Sequence, residues 1–266
     1  MKMFFRTSIL VVTLILTNVV FAASAIDLWF SPGWKSKASK AKAIATELSS
    51  KSGLQIRPRI ANSYPQILKA FSSDKASFVF VGSFVQAIIR ARDLGTGLVQ
   101  AATGKEYYSG VLVYPKDADP AAILASNPTK IAYAVGASSG ESSAKAATDG
   151  KAAIATKNHG ATCGAVKVGR AKAGVVKNWW WESNAKKFPE LAMYKIPGIS
   201  ENKNPDNVLS TSKSVSAEVK NKVVKAAKAS KEVFGAKEMV DFDPATLDFS
   251  LSLMKKGKID PKTYSW

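Results

Sequence analysis

From residue 26 to residue 255, short β-branched and aromatic runs alternate with helical patterns, and few folds accommodate that alternation. IDLWF (26–30), LQIRPRI (54–60), SFVFV (77–81), LVQAAT (98–103), GVLVYP (110–115), KIAYAV (130–135) and KAGVVK (172–177) have the length and composition of strands. Between them lies a lysine-decorated helical segment near 36–51, with Ala41, Ile44 and Leu48 as its apolar stripe. Others follow around Tyr64–Ser72, in FVQAIIRARDL, after Asp119-Pro120, more weakly over 140–157, over 162–169, and near 215–229 and 244–255. Strand-helix alternation of this kind predicts an α/β protein.

The N-terminus has the three parts of a secretory leader: Lys2 and Arg6, the apolar run ILVVTLIL, and the small-residue zone VFAASA. Residues 1–25 are expected to be a signal peptide cleaved after Ala25, with Ala22 as the alternative. The apolar run is interrupted and short for a bilayer span, so the expectation is an exported, periplasmic protein. A single cysteine, Cys163, leaves no internal disulfide, and burial alone must hold the exported chain together. Cys163 itself is expected to be a small buried hydrophobe.

Formal charge is +18, and only six of the 38 basic residues are arginine. Nucleic-acid readout leans on the bidentate guanidinium fork, so a lysine-rich chain argues against a nucleic-acid partner. A solvated basic surface near an acidic membrane or protein partner is the better reading.

Gly136-Ala137-Ser138-Ser139-Gly140 fits the G-x-S-x-G pattern of a hydrolase elbow. The one histidine, His159, follows Ser138 by 21 residues, and Asp149 is the one carboxylate placed to serve between them as the acid. A triad built from one strand-helix-loop unit is poor geometry, so no enzyme is expected. The same turn can instead offer backbone N–H groups and the hydroxyls of Ser138, Ser139 and Ser142 to an oxyanion at a helix start, or simply cap the helix. Ser83, in the turn after SFVFV, and Tyr107 and Tyr108 before GVLVYP are further candidate donors. One histidine and one cysteine give no recognisable metal-ligand spacing, and no cofactor is expected.

Three of the six tryptophans stand together at 179–181. If the preceding strand continued, Trp179 and Trp181 would share one side and Trp180 the other. Aromatic walls suit an apolar or cationic ligand.

The order of these features resembles the periplasmic substrate-binding proteins of phosphate, phosphite and phosphonate ABC transporters. The similarity runs from Ile26 to about Ala229. It rests on LWFSPGW (28–34), FVFVGSF (78–84), YYSGVLVYPKDAD (107–119), the turn at 137–140, His159 ahead of GRAKAGVV (169–176), WWWE (179–182) and Ile196-Pro197. Ala137, Gly160 and Lys172 depart from the family's hydroxyl residue, carboxylate and aspartate. The resemblance implies a two-lobed type II periplasmic-binding-protein fold with a ligand cleft between lobes joined by a two-stranded hinge. Residues 26–112 plus 205–266 would form lobe 1 and 115–198 lobe 2, with crossings near Val113–Pro115 and Ile199–Asp206. It also implies a monomer that hands a small ligand to an ABC permease.

In that frame Ser138, Ser139, Ser142, Ser83, Tyr107, Tyr108 and His159 would hold an oxyanion, while Trp34, Trp179 and Trp181 seat an organic substituent. Three alternatives stay open: a bulky apolar, lipid-like ligand in a tryptophan-lined cleft, a serine hydrolase using Ser138, and a basic docking protein without a ligand.

Overall fold

The computed structural model describes residues 25–266; residues 1–24, which carry most of the expected leader, lie outside it. Among the described residues, two large sheets carry the fold. The first is six-stranded, in the order Glu238–Asp241, Gly95–Ala102, Val208–Ser212, Ser77–Val81, Ile26–Phe30, Ile56–Ile60. Its last three strands run parallel to one another, and Val208–Ser212 pairs antiparallel with both of its neighbours. The second sheet is five-stranded, in the order Leu191–Tyr194, Gly110–Pro115, Ala173–Lys177, Ile131–Ala134, Ile154–Thr156.

SFVFV is buried along its whole length. A central strand covered on both faces loses the polar alternation of a half-exposed one. Phe78 and Phe80 face one cluster with Leu28, Phe30, Ile44 and Leu48, beneath the helices Ala38–Ser52 and Ala217–Lys228. Val79 and Val81 face the other cluster with Ile67, Phe84 and Ile88. Each such side chain contributes about 1.5–3 kcal/mol through burial, and with no disulfide this burial is what holds the chain together. Cys163 is buried in the second half's core.

Two expectations change. The segment 140–157 is not one helix. A π-helical turn, Ser138–Ser142, leads into a short helix, Ser143–Ala147, and then an edge strand, Ile154–Thr156. The helix stops where Asp149 and Gly150 take positive φ, and the Thr148 hydroxyl accepts a hydrogen bond from Ala152 N–H. The expected boundary at 112 is also displaced. Gly110 to Val113 pair with Lys177 to Gly174, so residues 110–112 belong to the second sheet.

Tyr107–Tyr108 and Asn204–Pro205 form an antiparallel ribbon, with Tyr108 opposite Asn204 and Tyr107 opposite Pro205; the first segment precedes the expected crossing at 113–115, and the second falls within the one expected at 199–206. Gln100 ties them together: its side-chain amide donates to the carbonyls of Glu106 and Asp206. The C-terminal helix Asp248–Lys256 touches both cores. Met254 packs with Val79 and Ile67, while Leu253 packs with Leu112 and Ala144. Assigning 205–266 wholly to the first lobe therefore misses this helix's second contact.

Candidate functional site

Carboxyl ends of strands from both sheets converge on one cleft of about 400 Å³. Ser31 follows Ile26–Phe30, Gly82 follows Ser77–Val81, Gly136 follows Ile131–Ala134, and Lys177 ends Ala173–Lys177. Open α/β sheets bind ligands at such strand ends because the loops and helix starts there present unpaired backbone groups.

The floor is an ion pair. Lys177 Nζ lies 2.6 Å from Asp206 Oδ2, and both side chains are about four-fifths buried. The ammonium also sits 4.0 Å from the Tyr108 ring centroid and 4.4 Å from that of Trp179, a cation–π clamp on two sides. Gly82 makes room for the carboxylate: a Cβ there would stand 2.7 Å from Asp206 Oδ1. Tyr108 in turn exchanges a 2.7 Å hydrogen bond with Ser83.

Above the floor, one wall is aromatic. Trp34 packs on Phe30 and Phe80, with ring centroids 4.7 Å and 5.8 Å away, and lines the cleft beside Tyr64 and Phe84. The Tyr64 hydroxyl is shifted upward by burial; a hydrogen bond with Ser31 opposes the shift and the Asp206 charge adds to it. From the second half, Gly136, Ala137 and Ser139 of the turn 136–142 line the cleft together with His159. Glu141, buried in that turn, accepts hydrogen bonds from Gly136 N–H at 2.9 Å, Lys145 Nζ at 2.7 Å and the Tyr264 hydroxyl at 2.5 Å. Gly136 has φ +72°, and a Cβ on it would meet Trp266 Nε1 at 2.1 Å. Trp266 stacks on Tyr64 and packs on Phe84, so the last residues run from the first sheet's helices to the second sheet's turn.

His159 opens the helix His159–Lys167, which Asn158 caps through Ala161 N–H. Its Nδ1 is buried with no hydrogen-bond partner among the described residues. Burial, helped by the Lys177 charge, lowers its pKa to about 4, so the ring is neutral near pH 7.

Of the expected site residues, Trp34, Ser139, Tyr108 and His159 line the cleft. Ser138 contributes its backbone to the π-helical turn. Ser142 is fully buried beneath the turn instead of lining the cleft. Ser83 lies behind Tyr108, which it reaches through its hydroxyl. Tyr107 faces away, 37% exposed, in a separate surface groove beside Phe249; neighbouring ribbon residues present opposite faces.

The tryptophan run departs most from expectation. Asn178–Asn184 is a helix, not an extended strand, so Trp179 and Trp181 point about 200° apart at ~100° per residue. Trp181 is buried among Val111, Val113, Cys163 and Leu191, where it fills the second core. Trp180 packs on His159 and Phe188. Trp179 stands behind the cleft residues Lys177 and Tyr108, as Trp180 does behind His159.

A serine-hydrolase arrangement is not assembled. Asp149, the acid it would require, is exposed and paired with Lys258 at 2.8 Å, and His159 Nδ1 has no hydrogen-bond partner among the described residues. Among the described residues, no group of three or more His, Cys, Asp or Glu is placed to hold a metal ion. No helix among them is long and apolar enough to cross a membrane.

Lys177 and Asp206 escaped the sequence reading because lysine is the commonest surface charge in this chain. The signal available was position: Lys177 is the last residue of a strand whose carboxyl end faces the crevice.

Among curated proteins, none matches this sequence. Solved structures share the fold at low identity. A binding-protein component of a phosphonate ABC transporter from Pseudomonas aeruginosa is 16% identical, with TM-score 0.67 and 87% of each chain covered. PhnD1 from Prochlorococcus marinus, in complex with methylphosphonate, is 16% identical, with TM-score 0.63 over 87% of this chain and 97% of that one. A Xanthomonas citri protein bound to ATP is 11% identical, with TM-score 0.69 over 88% and 97%. Residues 35–246 match the family described as the periplasmic substrate-binding protein of phosphonate ABC transporters. With two α/β halves meeting at a cleft of strand ends, and a family match across most of its length, the chain belongs to the periplasmic substrate-binding proteins of phosphonate ABC transporters.

Proposed function

We propose that this protein captures a small phosphonate-like oxyanion bearing an organic substituent, and delivers it to the permease of an ABC transporter. The observation that carries the reading is the pairing of two unlike walls in one cleft. Ser139, the neutral His159 and Lys177 offer polar groups from the second sheet's half, and Trp34, Tyr64 and Phe84 offer rings from the first's. Backbone N–H groups and hydroxyls at strand ends suit an oxyanion, and the rings suit the substituent. A lipid-like ligand fits less well, because an apolar tail would desolvate the Lys177–Asp206 pair with no polar group to replace the water.

In this reading the sheets are the frames of two lobes, the ribbon at 107–108 and 204–205 is the hinge, and ligand binding favours the closed arrangement. The basic leader and small-residue zone at residues 1–25 would direct export. Tryptophan fluorescence during titration tests the ligand class. Methylphosphonate, phosphite or phosphate should shift emission at micromolar concentrations; a response confined to fatty acids would overturn the reading in favour of an apolar ligand.

A further inference from the structure

Asp206 is the only carboxylate among the described residues that line the cleft. It is the group that a positively charged ligand substituent would have to find. The chain already supplies a cation to it, because Lys177 Nζ stands 2.6 Å from Oδ2. That lysine is not a loosely held surface side chain. It ends a strand, its ammonium is clamped between the rings of Tyr108 and Trp179, and it is about four-fifths buried. The carboxylate is equally constrained. Gly82 lacks the Cβ that would collide with Oδ1, Asp206 N–H donates to the Glu106 carbonyl, and its own carbonyl accepts from Gln100. Lys37, on the same cleft, adds a second positive charge and no second carboxylate balances it.

We infer that Lys177 is a specificity-determining residue: it occupies Asp206 as a built-in cation, so the cleft takes phosphonates with uncharged substituents and rejects those carrying an ammonium group. This deepens the oxyanion reading and rests on it. A ligand ammonium directed at Asp206 would come within a few ångströms of Lys177, where like charges in a partly buried site repel strongly. Displacing Lys177 instead would strip it of the carboxylate and both rings. An uncharged substituent meets neither cost and packs against Trp34, Tyr64 and Phe84. The phosphonate's own negative charge, meanwhile, is attracted by Lys177 and Lys37.

Two probes of nearly equal size separate the cases: ethylphosphonate and 2-aminoethylphosphonate, titrated by calorimetry at pH 7. The wild-type protein should bind ethylphosphonate more tightly by about tenfold or more. Lys177→Met keeps the apolar stem and frees Asp206, and should narrow or reverse that preference. Asp206→Asn provides a second variant that leaves no buried carboxylate unpaired, and it should retain the preference for ethylphosphonate. Circular dichroism establishes that each variant is folded. Equal binding of the two probes by the wild type, or tighter binding of the amine, overturns the inference while leaving the oxyanion reading intact. Failure of the wild type to bind either probe overturns both.

Discussion

The hydroxyl of Tyr264 donates a 2.5 Å hydrogen bond to Glu141 Oε2, joining the chain's last residues to the turn that closes the cleft on the second sheet. Glu141 also holds Gly136 N–H and Lys145, so one buried carboxylate organises the turn. Arg92 secures the other end of the tail by donating to the carbonyls of Pro261 and Tyr264. Burial, with the Glu141 hydrogen bond and charge, raises the tyrosine's pKa well above its ordinary value. The hydroxyl therefore stays a donor at any pH the protein would meet.

Tyr264→Phe removes one of two donors to the buried Glu141 Oε2, the Gly136 N–H remaining. Stability should fall by about 1.5–3 kcal/mol, the usual range for a hydrogen bond to a charged group. Urea unfolding followed by circular dichroism measures it. An unchanged midpoint would show that water replaces the tyrosine.

Gly136→Ala places a methyl group where Trp266 now sits and puts an L-residue at φ +72°. Both effects act against the turn, and the positive φ alone costs about 1–2 kcal/mol. The expected result is a lower melting temperature together with a red shift in tryptophan emission as Trp266 moves into water. A loss of stability with unchanged emission would mean that Trp266 stays in place.

The tryptophan run separates into different roles. Trp181→Ala empties a core site 7% exposed and should cost about 3–5 kcal/mol. Trp179→Ala removes one side of the Lys177 clamp and should cost far less stability while weakening ligand binding. Equal losses of stability from both variants would contradict this division.

How much of this was legible in the sequence depends on which force decided each element. SFVFV and GVLVYP announced themselves because burial on both faces selects continuous β-branched and aromatic runs. The tryptophan helix did not: three tryptophans after a strand have no helical periodicity, and tertiary packing of Trp181 decides the conformation. The cleft's position followed from strand ends and serine turns. Its ion pair did not, since nothing local to Lys177 or Asp206 marks them as partners across 29 residues. Nor did the tail, because only the fold brings Trp266 to Gly136.

The His159 pKa, lowered to about 4, sits below its ordinary value of 6.5. Between those values the unfolded chain binds more protons than the folded one. Stability from this group is thus fully present above about pH 6.5 and is lost as pH falls toward 4. The loss is about 3 kcal/mol. His159→Gln should flatten that limb of the stability–pH curve; an identical slope in the variant would place the titration elsewhere.

Cys163 is buried, and its thiol is pushed up to about 12 by burial, with the Glu190 charge adding to the shift. A thiol-reactive dye at pH 8 should leave the native protein unlabelled and modify it promptly in urea. Prompt labelling of the native state would show that the second core opens readily.

Calorimetric titration of methylphosphonate into the wild-type protein and into Ser139→Ala tests the central claim most directly. The account predicts one site per chain with micromolar or tighter affinity, weakened about tenfold by loss of the Ser139 hydroxyl. No binding by the wild type, or an identical isotherm for the variant, would contradict it.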